Sequence, residues 1–121
     1  MIYVYYEHHK RKLIQTQLVY DEKLAEKVNL LANGEKRKLK KINETLNELR
    51  SSMEERERLL KATLDELERS KDIEDTVYRL RYIDGMKVSR ISRIVHYSDT
   101  QVYRILQNIK ETVRCSQLGR K

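Results

Sequence analysis

The chain has 121 residues, no proline, three glycines and one cysteine; 37% of it is charged, and its formal net charge is +7. A single cysteine excludes an intrachain disulfide and a cysteine-rich zinc site, and 39% apolar content suits small cores better than one large one. Few helix breakers and few strand formers predict an all-α chain, and no apolar run reaches the length of a signal h-region or a membrane span. A cytoplasmic protein with no membrane partner is the expectation.

The charge is unevenly placed. Residues 1–75 hold 16 basic and 16 acidic side chains, so they are neutral; residues 76–121 hold 10 basic and 3 acidic ones and carry the whole excess. A positive field gathered in one segment is what phosphate binding needs, because each neutralised phosphate releases counterions. A membrane surface would attract it too, but the C-terminal segment lacks the wide Trp/Phe/Leu face of an interfacial helix.

Ile2 to Tyr6 is β-prone, with three tyrosines in five residues. It reads as a short strand or an N-terminal arm, and the plainer expectation is a disordered or partly docked terminus. His8 and His9 are adjacent, and helical neighbours point about 100° apart, which suits joint metal ligation poorly; they are expected to face solvent. A first helix is predicted from Glu7 to Ala32. Leu13, Tyr20, Leu24, Val28 and Leu31 fall on one stripe, which Ile14 and Leu18 widen. Asn33-Gly34 supplies the stop, since Gly takes the left-handed conformation without a steric clash.

A long helix is predicted from Glu35 to Arg69, about 50 Å at 1.5 Å per residue. Leu39, Ile42, Leu46, Leu49 and Met53 step by three and four; Arg56 and Thr63 interrupt, and Leu60, Leu64 and Leu67 resume with a slight shift. So narrow a stripe pairs with the first helix as an αα-hairpin, with a second chain as a coiled coil, or with both. The expectation is both: a homodimer whose seam is Leu39, Ile42, Leu46, Leu49, Met53, Leu60 and Leu67. Lys36-Arg37-Lys38 and Lys40-Lys41 open this helix at the end where its dipole disfavours positive charge. That hints at an anionic partner, though a solvated basic run is the plainer reading.

Ser70-Lys71-Asp72 breaks the pattern and caps a further helix, Ile73 to Asp84, whose inner face is Ile73, Val77 and Leu80 with Tyr78 and Tyr82 on a flank. Gly85 ends it. Two parts are therefore expected: a helical hairpin or coiled-coil oligomerisation region over 1–70, and a small C-terminal domain over 71–121.

In that domain Met86 to Val113 reads as two helices joined by His96-Tyr97-Ser98. Val88, Ile91, Val95, Tyr97, Val102, Ile105 and Ile109 supply the buried face. Ser98 is placed as N-cap, and Gln101 three residues on closes a capping box. Two helices crossing through a tight turn is the helix-turn-helix, whose second helix lies in the DNA major groove. With Val88 as first residue, its places four, eight, ten, fifteen and eighteen ask for apolar residues, and Ile91, Val95, Tyr97, Val102 and Ile105 stand there. Place five must be small, and it is Ser92; place nine usually carries Gly, and it is His96. On periodicity alone an ordinary helical hairpin in a bundle is the better reading; the charge turns the balance toward DNA.

On this alignment Asp99, Thr100, Tyr103, Arg104 and Gln107 face outward. Thr100, Tyr103, Arg104 and Gln107 are the candidates for base contact, Arg104 as a bidentate donor to guanine and Gln107 as a reader of adenine. Gln101 is a further adenine reader unless its capping role occupies it, and Asp99 complements the positive helix N-terminus. Lys87, Arg90, Arg93, Ser98 and Lys110 are the candidates for contact with the DNA backbone.

Leu80-Arg81-Tyr82-Ile83-Asp84-Gly85-Met86, then Ile91, Tyr97-Ser98 and Val102-Tyr103-Arg104-Ile105, resembles the DNA-binding region four of bacterial sigma factors. In particular it is similar to small phage regulators of late transcription, the ArpU/RinA kind. The resemblance covers about residues 72–113; it departs from the common sigma pattern at Arg90, where an acidic residue is frequent, and at Ser92 and His96, where Ala and Gly are. It implies a helical domain that acts at promoters and touches RNA polymerase. The expected function is therefore sequence-specific binding of double-stranded DNA by a dimeric, phage-type transcriptional regulator. Two alternatives stand beside it: a DNA-packaging subunit like a small terminase, and a coiled-coil adaptor whose C-terminal hairpin binds protein. No nucleophile–base pair, Gly-rich phosphate loop or metal-ligand cluster is legible, so neither enzymatic activity nor a cofactor is expected.

Overall fold

The computed structural model describes residues 1–118, and among them the chain is all-helical: α1 Ile2–Asn33, α2 Lys36–Arg69, α3 Ile73–Tyr78, a π-helical turn Arg79–Ile83, α4 Val88–Val95 and α5 Asp99–Leu118. No helix among the described residues is long and apolar enough to cross a membrane. The chain forms two compact units, residues 1–8 with 62–118, and residues 9–61. The sequence break at Ser70-Lys71-Asp72 is the gap between α2 and α3.

The 9–61 unit is a helical hairpin. α1 ends where expected: Gly34 sits at φ +68°, the Glu35 N–H returns to the Leu30 carbonyl at 3.2 Å, and the Gly34 N–H to that of Leu31 at 3.3 Å. These two bonds close a Schellman turn, which satisfies the last carbonyls of the helix. α2 then runs back antiparallel, so that the Arg50 guanidinium donates to the Tyr20 hydroxyl at 3.0 Å. Leu30, Ile42 and Leu46 are buried in this unit, and Leu30 and Ile42 line one cleft between α1 and α2. Of the expected seam, Ile42 and Leu46 are thus covered within one chain; Leu39, Leu49, Met53 and Leu60 are half-buried, and Leu67 is wholly buried in the other unit.

Most of the stripe expected to be buried on α1 is exposed, while its members Leu13 and Tyr20 are half-buried. Ile14, Leu18, Leu24, Val28 and Leu31 are exposed, and Leu30, outside that stripe, is the side chain buried against α2. Two apolar faces share this helix, and periodicity alone does not say which one a partner takes.

The other unit has a core of Tyr3, Leu67, Val77, Tyr78, Leu80, Val88, Ile91, Val102, Leu106 and Ile109. Here the structure corrects the reading of the N-terminus: Ile2–Tyr6 is neither strand nor loose end but the first turns of α1, and Tyr3 is fully buried. Tertiary burial overrides the β-propensity of this segment. The Tyr3 ring stacks on Tyr78 at 5.3 Å, Tyr6 meets Tyr78 edge-on at 6.1 Å, and Tyr82 lies 5.1 Å from Tyr78. The Tyr3 N–H, which the helix leaves without an internal partner, donates to Asp75 Oδ1 at 3.0 Å, and the Ser70 hydroxyl donates to Asp75 Oδ2 at 2.7 Å. A buried carboxylate from α3 thereby caps a helix that starts more than seventy residues earlier. His8 and His9, expected in solvent, are half-buried.

Asp72 caps α3 as its side chain accepts from the Glu74 N–H at 3.1 Å. The helix expected over Ile73–Asp84 then widens after Tyr78 into π geometry, with the Asp84 N–H bonding the Arg79 carbonyl at 2.9 Å. Gly85, at φ +69°, lets the Met86 N–H fold back to the Leu80 carbonyl at 2.9 Å. α4 begins at Val88 and not at Met86.

Candidate nucleic-acid interface

α4 and α5 meet through a turn whose geometry depends on three residues. His96 takes the left-handed conformation, φ 60° and ψ 37°, and is the one non-glycine at positive φ among the described residues. Histidine is among the residues enriched there. The carbonyl of Ser92 accepts the N–H groups of both His96 and Tyr97, the latter at 3.2 Å, while the Ser92 hydroxyl donates to the Tyr97 carbonyl. On the far side, the Ser98 N–H donates to Gln101 Oε1 at 2.9 Å and the Gln101 N–H to Ser98 Oγ at 3.2 Å. That is the expected capping box, and it commits the Gln101 carbonyl oxygen to the backbone.

The buried side of the pair is Val88 and Ile91 on α4 and Val102, Leu106 and Ile109 on α5, with Val95 and Ile105 partly covered. Tyr97, expected on this face, is 39% exposed, and Leu106 is buried instead. Tyr97 comes after a left-handed residue in the turn, so helical spacing does not govern where its ring points.

Opposite the core, Thr100, Tyr103, Arg104 and Gln107 are all exposed. They recur at three and four residues, which sets them on one outward face over the first turns of α5. Asp99 is the acidic residue of the first turn, where the helix dipole favours it. Lys87, Arg90, Arg93, Ser98 and Lys110 are exposed as well. Beyond Lys110 the face changes: Arg114 is held by Glu111 at 2.6 Å.

Charge pairing separates two kinds of cation. Arg79 bridges to Asp84 at 3.3 Å and Arg114 to Glu111. Arg81, Lys87, Arg90, Arg93, Arg104 and Lys110 are exposed and make no ion pair among the described residues. Of these six cations without a carboxylate partner, Arg104 and Lys110 stand on α5 itself, and Arg81, Lys87, Arg90 and Arg93 lie on the π turn, at the start of α4 and along it.

Sequence reading missed Arg81 and Tyr82. With Tyr103, Leu106, Gln107 and Lys110 they line a groove of ≈ 200 Å³ along α5. The Arg81 guanidinium donates to the Met86 carbonyl at 3.0 Å, which fixes it at this edge. A π turn shifts the register of the residues after it, and a 3.6-residue pattern does not announce that shift. The available signals were a basic residue beside a tyrosine and their place in the run that resembles sigma region four, neither of which singled them out as contacts.

Among the described residues, no group of three or more His, Cys, Asp or Glu side chains is placed to hold a metal ion. Comparison of the chain with protein families, with curated proteins and with solved structures returns no match.

Proposed function

We propose that α4, its turn and α5 form a helix-turn-helix that binds double-stranded DNA sequence-specifically, with α5 in the major groove. The observation that carries this reading is the exposed polar face Thr100, Tyr103, Arg104 and Gln107 of α5, accompanied by five further exposed cations without an ion pair on α5, α4 and the segment before it. A helix's first turns reach base edges in this motif, while flanking cations hold phosphates. Arg104 reads guanine, Gln107 reads adenine, and Arg81, Lys87, Arg90, Arg93 and Lys110 fix the register on the backbone. The resemblance of residues 72–113 to sigma region four and to phage late-transcription regulators supports a role at promoters in contact with RNA polymerase, and the apolar faces of the long helices support a dimer.

Fluorescence anisotropy tests it on duplexes selected from a random library and on unselected ones. Affinity is expected to fall steeply with salt, with several phosphates neutralised. Arg104→Ala is expected to cost about 1–3 kcal/mol on the selected site and little on random DNA. No binding to any duplex at low salt would overturn the reading, and equal loss on both DNAs would make Arg104 a phosphate contact.

A further inference from the structure

We infer that a second copy of this chain docks antiparallel on the outward apolar stripe of α1, joining two hairpins as a four-helix bundle. In the 9–61 unit Ile14 is 51% exposed, Leu18 58%, Leu24 42%, Val28 61% and Leu31 58%. From Ile14 to Leu31 the stripe is about 25 Å long. The exposed Ala25 and Ala32 lie within it, and small side chains let another helix come close. α1 also meets α2, through Leu30 on another side of the helix and through Tyr20 at the edge of the stripe. A helix apolar on two sides belongs inside a bundle, and in one hairpin only one of those sides is covered.

The size and pattern of the stripe fit a second copy. Its apolar side chains offer on the order of 500 Å² per copy. With the flanking helix surface a pair covers about 1,200 Å² in all, the lower edge of the range for stable interfaces. Charge is nearly absent: Asp21, whose carboxylate accepts from Gln17 Nε2 at 3.0 Å, is the only ionised group in its middle, so there is no pattern for a strongly charged partner to match. The spacing reads alike from both ends, as an interface made of one patch against itself requires. Turned end for end, it sets Ile14 opposite Leu31, Leu18 beside Val28, and Asp21 beside Leu24. A parallel copy would set Asp21 directly against Asp21, whereas the antiparallel one offsets the two carboxylates by about 4.5 Å along the axis and faces each with Leu24.

This surface is separate from the expected seam on α2, whose Ile42 and Leu46 are already covered within the chain. It does not depend on the DNA reading either, because self-association and duplex affinity are measured independently.

Sedimentation equilibrium of the full chain decides it. Wild type is expected to be a dimer at micromolar concentration. Leu18→Glu with Val28→Glu is expected to be monomeric with unchanged helical circular dichroism, and Asp21→Leu to tighten the dimer by about tenfold as an unpaired charge leaves the interface. In a Cys115→Ser background, a short bis-maleimide is expected to join an Ile14→Cys chain to a Leu31→Cys chain far better than either to itself. A monomeric wild type at about 100 µM, a dimer that survives the double substitution, or preferential same-position cross-links would overturn the proposal.

Discussion

His96 holds the backbone at φ 60°, a conformation that costs an ordinary L-residue about 1–2 kcal/mol. The turn keeps it there because Ser92 collects the N–H groups on one side and the Ser98–Gln101 box fixes the other. His96→Gly removes the steric cost but loosens the unfolded chain by about 0.4–1 kcal/mol. A net gain of about 0.5 kcal/mol is expected, read as a higher urea midpoint at constant slope. A lower midpoint would mean that the imidazole makes a contact worth more than the strain. The capping box was legible from Ser98 and Gln101 because both partners lie within one turn. The double duty of Ser92 was not, since its hydroxyl reaches a carbonyl five residues away whose position depends on the turn.

At the scale of elements, the first turns of α1 act as part of the C-terminal core. Tyr3 fills the space beside Tyr78, and its N–H is capped by the buried Asp75. Tyr3→Ala removes a fully buried aromatic ring, so a loss of about 3–5 kcal/mol is expected for the unit of residues 1–8 and 62–118. Chemical denaturation followed by circular dichroism measures it. A loss below about 1 kcal/mol would show the arm to be dispensable. The sequence offered β-prone residues here and no hint of their partner, because the contact that orders them lies more than seventy positions away. The α4–α5 pair was legible for the opposite reason: its apolar spacing, its cap and its turn are all local.

Over the whole molecule, the tyrosines tie folding to alkaline pH. Burial raises the hydroxyl of Tyr78 well above its usual 10.0, and the Glu7 carboxylate that accepts its hydrogen bond adds to the shift. Burial also raises Tyr3 and Tyr6. Below about pH 10 these groups are neutral in both states and their contribution is complete. As pH rises past 10, the unfolded chain ionises and the folded one resists, so stability is lost through the interval up to the raised folded values. The urea midpoint is expected to fall as pH rises from about 10 to 11, and Tyr78→Phe to flatten that fall. An unchanged slope in Tyr78→Phe would put the dependence elsewhere. Charge acts at the same scale: the excess of +7 resides in residues 76–121, and six of those cations stay exposed and unpaired.

The sequence by itself determined the all-helical character, the Gly34 and Gly85 stops, the capping box and the segregation of charge. Each depends on residues within a turn or two of one another, or on composition alone. Tertiary structure decided which face of α1 meets α2, that Tyr3 lies in a core with Tyr78 and Leu67, and that a π turn brings Arg81 and Tyr82 beside α5. Those are choices between faces and registers of equal local merit, and only packing against distant residues separates them.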